Sequence, residues 1–131
     1  SVRFPALTGQ DPRGLLGRQM RGPGSVLSFE LTSSGPEAMR AFIGALTLIT
    51  PAVSLGSTDS LIQPPATLTH RVVDAAARAQ TGITSGLLRL SIGLEDMADI
   101  WHDLDQALAV NGETRGWHSE GRRIRRETVP A

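Results

Sequence analysis

The sequence predicts an α+β fold in which a small antiparallel or mixed sheet has its helices packed on one face. Three observations predict this class. Strand-like alternation of apolar and polar residues occurs at 26–31 and 87–94, helical spacing of apolar residues occurs at 36–46 and after Asp96, and strands and helices alternate along the chain. A chain of 131 residues fits one domain and is too short for a doubly wound nucleotide-binding fold.

The strand predicted at 87–94 defines the two faces of the predicted sheet. Its period of two places Leu88, Leu90 and Ile92 on one side and Arg89 and Ser91 on the other. An earlier strand at 26–31 alternates in the same way. With helices on only one face, the second face should be uncovered and should meet water or a partner; it carries Arg89, Ser91, Ser28 and Glu30.

The first helix is predicted from Pro36 to Leu46. Ser34 and Glu37 have the spacing of a capping box, and proline is tolerated in the first turn because its missing N–H has no partner there. Four apolar residues at three- and four-residue spacing predict its core face: Met39, Phe42, Ile43 and Leu46. A second strand is predicted at 52–55.

Two more helices are predicted towards the end of the chain. Thr69 can cap a helix from His70 to about Gln80, with a thin apolar stripe formed by Val72, Val73, Ala76 and Ala79. Asp96 and Asp99 begin the last helix, which Asn111 and Gly112 end. Its predicted apolar face consists of Met97, Ile100, Trp101, Leu104 and Leu108.

The chain divides into three parts. Residues 1–24 are rich in glycine and proline, contain one predicted short helix at 15–20, and would pack on a larger domain. Residues 25–110 form the α+β domain. Residues 111–131 are a basic tail that includes four arginines between 122 and 126, and we expect it to be flexible.

The composition of the chain argues against several classes of ligand and site. The charges balance, with 13 Lys and Arg residues against 13 Asp and Glu, so the chain is not expected to bind nucleic acid or an anionic membrane surface. The absence of cysteine excludes disulfides and cysteine-based zinc sites, and no metal site is predicted. No apolar run approaches the roughly 18 residues of a membrane-spanning helix, and we expect a cytoplasmic protein.

Three motifs follow one another in order. The first is Ser-Leu-Gly at 54–56 with Ser-Leu at 60–61, the second is Pro-Ala at 65–66 with Thr-His at 69–70, and the third is Arg-Leu-Ser-Ile-Gly-Leu-Glu-Asp at 89–96. With these motifs, the chain from about residue 3 to 109 resembles the C-terminal domain of the transsulfuration family of pyridoxal-phosphate (PLP) enzymes. That family includes methionine γ-lyases, cystathionine γ-lyases and synthases, and acylhomoserine sulfhydrylases.

The resemblance implies a substrate site. Arg89 would bind the α-carboxylate of an amino-acid substrate, Ser54 would lie beside it, and Thr69 would border the pocket. A planar guanidinium suits a carboxylate because it donates two parallel charge-assisted hydrogen bonds. From spacing alone, Arg89 is more often a solvated surface residue, Thr69 is equally well explained as a helix cap, and His70 is predicted to be structural.

Two residues near these motifs bear on the reaction. Val53 stands where members that handle cystathionine commonly carry Glu. At this position the chain therefore resembles the methionine γ-lyases and some sulfhydrylases. An apolar side chain there suits a thioether or thiol better than a second charged group. Pro64 departs from the His often found before Pro-Ala, which affects the local loop.

The sequence contains no lysine, the residue through which PLP enzymes hold the cofactor covalently. The resemblance therefore implies that a large cofactor-binding domain or subunit, on another chain or on a preceding segment, holds the PLP. This chain alone is expected to be inactive, and the assembly to be a homo- or hetero-oligomer. Two alternatives stay open: a stand-alone amino-acid-binding module that uses Arg89 without catalysis, and a nucleic-acid adaptor that uses the basic tail.

Overall fold

The computed structural model describes residues 1–33 and 35–112, which are built around one five-stranded sheet. The strands are β1 (Val2–Arg3), β2 (Val26–Glu30), β3 (Thr50–Pro51), β4 (Leu61–Gln63) and β5 (Leu87–Ser91). Their order across the sheet is β1-β2-β5-β4-β3, and all neighbours are antiparallel except β3 and β4, which are parallel. The predicted α+β class with a mixed sheet is confirmed.

Strand β5 lies at the centre of the sheet, between β2 and β4. Its predicted alternation is confirmed, because Leu88 and Leu90 are fully buried in the core while Arg89 lies on the opposite face and is half-buried. The strand ends at Ser91, three residues before the predicted end at Leu94. Arg89 is thus held by hydrogen-bonded backbone on both sides.

The described residues contain the helices α1 (Pro36–Ala45), α2 (Ala75–Gln80) and α3 (Met97–Val110). Helices α1 and α3 pack against each other on the face of the sheet that carries Leu88 and Leu90. The rings of Phe29 on β2 and Phe42 on α1 meet edge to face, with centroids 6.1 Å apart. The buried core consists of Leu31, Met39, Phe42, Ile49, Ile62, Leu88, Leu90, Ile100 and Ala107.

Helix α1 begins at Pro36, after the N-cap residue Gly35, which makes no side-chain cap bond. The predicted capping box cannot be compared, because Ser34 lies outside the described residues. The predicted core face of the helix is confirmed at all four positions, with Met39 and Phe42 buried and Ile43 and Leu46 partly buried.

Helix α3 is capped as predicted by Asp96, whose carboxylate accepts a hydrogen bond from the Ala98 N–H at 2.7 Å. The predicted apolar face of this helix is partly wrong. Met97 and Trp101 are 57% and 50% exposed, whereas Asp103 is buried at 2% exposure. Asp103 can be buried because backbone N–H groups in the segment that follows α1 donate to its carboxylate, which an apolar periodicity does not reveal.

The predicted helix from His70 is wrong in its first half, because α2 begins only at Ala75. Asp74 is the N-cap instead of Thr69, and its carboxylate accepts from the Ala76 N–H at 2.7 Å. Carboxylates are strong caps, and the β-branched pair before Asp74 favours helix only weakly. The predicted packing stripe is also wrong, since no residue of α2 is buried and Val72 is 89% exposed.

The region between α1 and α2 also differs from the prediction. Strand β3 lies two residues before the predicted 52–55, and β4 was not predicted because Pro64 and Pro65 mark its neighbourhood as turns. Since β3 and β4 are parallel neighbours, the connection between them, residues 52–60, must cross one face of the sheet. We call residues 52–60 the crossover loop.

The crossover loop corrects the prediction of an uncovered second face. Ser91 was expected to lie open on that face, but it is 1% exposed and its hydroxyl accepts a hydrogen bond from the Gly56 N–H at 3.1 Å. The cover comes from this loop, while α1 and α3 lie on the opposite face as predicted. Arg89 is therefore partly enclosed, by loop backbone rather than by helix.

The N-terminal segment contributes strand β1, which pairs with β2 at the edge of the sheet. The predicted short helix at 15–20 is wrong, because these residues form a turn closed by a bridge between Leu16 and Met20. Gly17 has φ +83°, which a helix does not allow. The predicted basic tail lies outside the described residues from 113 onward. No helix in 1–33 and 35–112 combines the length and apolar character needed to cross a membrane.

Candidate functional site

The site begins with the guanidinium of Arg89, which stands on the central strand on the face away from the core. Its Nη2 donates a hydrogen bond to the backbone carbonyl of Ser54 at 2.7 Å. Within 1–33 and 35–112, no carboxylate pairs with Arg89. A half-buried cation that lacks an anionic partner is chemically suited to receive an anion, because its positive charge is only partly hydrated.

The crossover loop brings Ser54 to Arg89, although the two residues are 35 positions apart. The loop turns at Gly56, whose φ of +74° is readily adopted only by glycine. At that turn the Gly56 N–H donates to the Ser91 hydroxyl, so the loop contacts two residues of β5 that point to the same face. The predicted neighbourhood of Arg89 and Ser54 is therefore present, through the carbonyl of Ser54 rather than its hydroxyl.

A cluster of polar residues holds the far end of the crossover loop. The Ser60 N–H and hydroxyl donate to the two carboxylate oxygens of Glu95, at 2.6 Å and 2.8 Å. The Ser60 hydroxyl also accepts from the Gly93 N–H at 2.9 Å. These three residues, Ser60, Gly93 and Glu95, form what we call the loop clamp, and they fasten the loop to the chain that leaves β5.

The electrostatics of the loop clamp favour a charged Glu95. The Ser60 N–H stabilises the carboxylate and holds the pKa of Glu95 below its ordinary value, assisted by the Ser60 hydroxyl. Gly93 allows the close approach, since a Cβ at this position would lie 2.2 Å from the Thr58 carbonyl oxygen. Gly93 and Glu95 both belong to the third sequence motif, which by itself predicts no role for them.

A second anchor holds the segment that precedes β3. The buried carboxylate of Asp103 on α3 accepts hydrogen bonds from the backbone N–H groups of Thr47, Leu48 and Ile49 at 2.7, 3.1 and 2.8 Å. Burial raises the pKa of Asp103, but these bonds and that from the Thr47 hydroxyl lower it more, so the net shift is downward. Sequence reasoning missed Asp103, although its position three residues after Ile100 places it on the apolar stripe.

Gln63 on β4 is the residue directly opposite Arg89 in the antiparallel pairing of β4 and β5. Its side chain is 2% exposed and its Oε1 has no hydrogen-bond partner, and the buried Nε of Arg89 also has none. Sequence reasoning missed Gln63 because it did not predict β4. The run Ser60-Leu61-Ile62-Gln63 is short and does not alternate between polar and apolar residues, so it gives no strand signal.

The other predicted site residues lie in different surroundings. Val53 is next to Ser54 in the crossover loop and is 56% exposed, so it is available to a ligand or partner. Thr69 is exposed, its hydroxyl lies 2.9 Å from His70 Nδ1, and no hydrogen bond links it to Arg89 in the described part of the chain. His70 does not lie at a helix N-terminus as expected, since α2 begins five residues later.

The arrangement can recognise a small anion. Arg89 offers a planar set of donors, and the crossover loop beside it offers backbone groups, a serine and an apolar side chain. No group of three or more His, Cys, Asp or Glu residues in the described ranges could hold a metal ion. The geometry therefore suits binding and orientation of a carboxylate.

Comparison with known proteins identifies the family. The sequence profile of the Cys/Met metabolism PLP-dependent enzymes matches residues 1–109. The chain is 53% identical over 108 residues to L-methionine gamma-lyase of Brevibacterium sandarakinum, covering 82% of this chain and 26% of that protein. It is 41% identical over 107 residues to cystathionine beta-lyase of Bacillus subtilis, covering 82% of this chain and 27% of that protein.

Solved structures agree with the sequence comparison. Cystathionine gamma synthase of Xanthomonas oryzae pv. oryzae, in complex with aminoacrylate and cysteine, superposes with a TM-score of 0.78 at 43% identity, over 87% of this chain and 30% of that one. The cystathionine gamma lyase CalE6 of Micromonospora echinospora gives 0.76 at 42% identity, over 83% of this chain and 28% of that one. This chain thus spans between a quarter and a third of the length of these relatives. It belongs to the family of Cys/Met metabolism PLP-dependent enzymes.

Proposed function

We propose that this chain is the C-terminal, substrate-carboxylate-binding part of a PLP-dependent enzyme that carries out γ-elimination or γ-replacement on a sulfur amino acid or an activated homoserine. The observation that carries the proposal is Arg89, a half-buried cation on the central strand that is oriented by the Ser54 carbonyl at 2.7 Å and has no carboxylate partner in the described residues. Ser54 and Arg89 would together border the substrate α-carboxylate.

The choice of arginine supports a carboxylate ligand. With one Nη2 hydrogen directed to Ser54, the guanidinium keeps other donors that are fixed in one plane and match the two oxygens of a carboxylate. The rigid strand beneath it reduces the entropy lost when the substrate binds. The role of Arg89 in our proposal is therefore to fix the orientation of the amino acid, not to exchange a proton.

The nature of the substrate side chain is suggested by Val53. An exposed apolar residue beside Ser54 suits a thioether or thiol. Several relatives with 43% to 53% identity carry the name L-methionine gamma-lyase, which agrees with this choice. We therefore propose methionine or homocysteine as the first substrates to test, with Thr69 as a more distant contributor to the pocket.

The PLP of this enzyme would be held elsewhere. The cofactor supplies electron withdrawal from the substrate carbon, and PLP enzymes bind it covalently through a lysine. The chain has no lysine, so its own residues do not fit covalent attachment of PLP. We propose that a large cofactor-binding domain or subunit contacts the face that carries Arg89, that the assembly is oligomeric, and that this chain alone is inactive.

The test compares arginine variants in the PLP-loaded assembly that contains this chain. Removing one partner of a buried charged pair costs about 2 to 5 kcal/mol, so Arg89→Ala should lower kcat/KM for methionine by about two to three powers of ten. Arg89→Lys should also be damaging, because an ammonium cannot donate two parallel bonds. Arg40→Ala is the control, since Arg40 is exposed on α1 beyond the opposite face of the sheet.

A loss smaller than tenfold in Arg89→Ala would contradict the proposal. Titration calorimetry of methionine with this chain alone separates it from a stand-alone binding module. Our proposal expects negligible affinity without the cofactor-binding part, whereas a binding module would show saturable heat that Arg89→Ala abolishes.

A further inference from the structure

Two buried polar atoms without partners lie on directly opposed residues of the sheet. Gln63 on β4 pairs in register with Arg89 on β5, and residues paired in this way point to the same face. Gln63 is 2% exposed. Its Oε1 and the Nε of Arg89 are the buried side-chain atoms without a hydrogen-bond partner in the described part of the chain.

These two atoms are chemically complementary. The amide oxygen Oε1 only accepts hydrogen bonds, whereas the Nε–H of arginine only donates them. Opposed residues of an antiparallel pair have Cβ atoms about 4.5 to 5.5 Å apart, which is within reach of two long side chains. Leaving both atoms buried and unpaired is unfavourable, so a small side-chain rotation that joins them is favoured when the guanidinium moves to meet the substrate carboxylate.

We propose that Gln63 is a positioning residue for Arg89: its Oε1 accepts a hydrogen bond from Arg89 Nε when the carboxylate of the amino-acid substrate binds. This inference rests on the proposed function of Arg89. The Ser54 carbonyl and Gln63 Oε1 then hold the guanidinium through Nη2 and Nε. The outer edge, formed by Nη1 and the second hydrogen of Nη2, is left for the two oxygens of the carboxylate.

The experiment uses Gln63→Met in the PLP-loaded assembly that contains this chain. Methionine keeps the length and volume of glutamine but has no amide acceptor. A carboxylate contact that is present before and during reaction affects KM more than kcat, so KM for methionine should rise about tenfold while kcat changes less than about twofold. Gln80→Met is the matched control, because Gln80 is exposed at the end of α2.

A double-mutant cycle separates positioning from packing. Lysine at position 89 has no Nε–H beside Gln63, so Gln63→Met should change KM by less than about twofold in the Arg89→Lys background. An equal increase in both backgrounds would show a packing effect and would overturn the inference. An unchanged KM in the single variant Gln63→Met would overturn it as well.

The wild-type assembly gives a second measurement, in which a variant serves only to assign one resonance. With 15N-labelled arginine in this chain, the Arg89 Nε–H resonance is identified by its loss in Arg89→Lys. Saturation with methionine should shift this resonance and slow its exchange with water, and the absence of both changes would overturn the inference. If Arg89→Ala costs less than tenfold in kcat/KM, the proposed function fails too; if it costs more and Gln63→Met has no effect, only the role of Gln63 fails.

Discussion

Glu95 accepts two hydrogen bonds from Ser60, a residue 35 positions earlier in the chain. This contact joins the first of the sequence motifs, which contains Ser60, to the third, which contains Gly93 and Glu95. Motif residues that do not contact Arg89 therefore have a structural role, because they fix the crossover loop that carries Ser54. Arg89 and Ser54 keep their relative position because the loop is held at both ends.

Ser60→Ala tests the loop clamp. The side chain is fully buried, and its removal leaves the Gly93 N–H and one oxygen of Glu95 without their partner. The free energy of unfolding of the chain should fall by about 1 to 3 kcal/mol, measured by urea denaturation. Ser57→Ala is the control, because Ser57 is exposed in the same loop and should change stability by less than about 0.5 kcal/mol. Equal effects of the two variants would contradict the role of the clamp.

Gly93→Ala tests the close approach of the crossover loop. The new Cβ would lie 2.2 Å from the Thr58 carbonyl oxygen and 2.6 Å from the Asp59 carbonyl carbon, which are backbone atoms that cannot simply rotate away. We expect a loss of about 3 kcal/mol in the free energy of unfolding.

Gly44→Ala is the matched control for that substitution. Gly44 lies in α1, and in the described part of the chain nothing beyond its chain neighbours and the adjacent helix backbone lies within 4 Å of the position that a Cβ would occupy, so alanine should stabilise the helix by about 0.5 to 1 kcal/mol. The two Gly→Ala variants are therefore predicted to have opposite signs in thermal and urea unfolding. A loss of stability in both would mean that the contacts around Gly93 are not the cause.

Asp103→Asn tests the anchor before β3. Asparagine places an NH₂ group where one carboxylate oxygen accepts from backbone N–H groups, so donors would face donors in a buried site. The free energy of unfolding should fall by about 3 kcal/mol. Asp105→Asn, on the exposed side of the same helix, should change it by less than about 0.5 kcal/mol. A small effect of Asp103→Asn in the same urea titration would rule out the anchor.

The stability of the chain should fall in acid. The pKa of Asp103 is lower in the folded chain than its ordinary value of 3.8, so the unfolded chain takes up the proton first as the pH falls. Its stabilising contribution is complete well above pH 3.8 and is lost as the pH falls through the folded pKa. The pKa values of Asp11, Glu30 and Glu95 are lowered too, and they add to the same trend.

Asp103→Asn separates the contribution of this carboxylate from the others. Urea unfolding between about pH 5 and about pH 3 should show a smaller loss of stability in the variant than in the wild type, because one of the shifted groups is gone. Parallel pH profiles for the two proteins would contradict the assignment to Asp103.

Local patterns in the sequence correctly predicted which side chains are buried where a single strand or helix decides their direction. The alternation around Arg89 and the helical spacing around Phe42 each predict which side chains enter the core, because a single periodicity sets the direction of every side chain in the element. The three motifs, read together, also identified the family and selected Arg89 and Ser54.

Only the tertiary structure decided how separate segments meet. The parallel pairing of β3 and β4 requires the crossover loop to cross one face of the sheet, and its contacts to Arg89 and Ser91 place it on the face of Arg89. This pairing leaves no periodic trace in nine residues of turns. The buried Asp103 and Gln63 were missed for the same reason: a polar residue can be buried only if partners come from elsewhere in the chain, and those partners are set by topology. The sequence by itself thus determined the core faces of β5 and α1 and the candidate cation, whereas the surroundings of that cation depend on contacts between residues far apart in the chain.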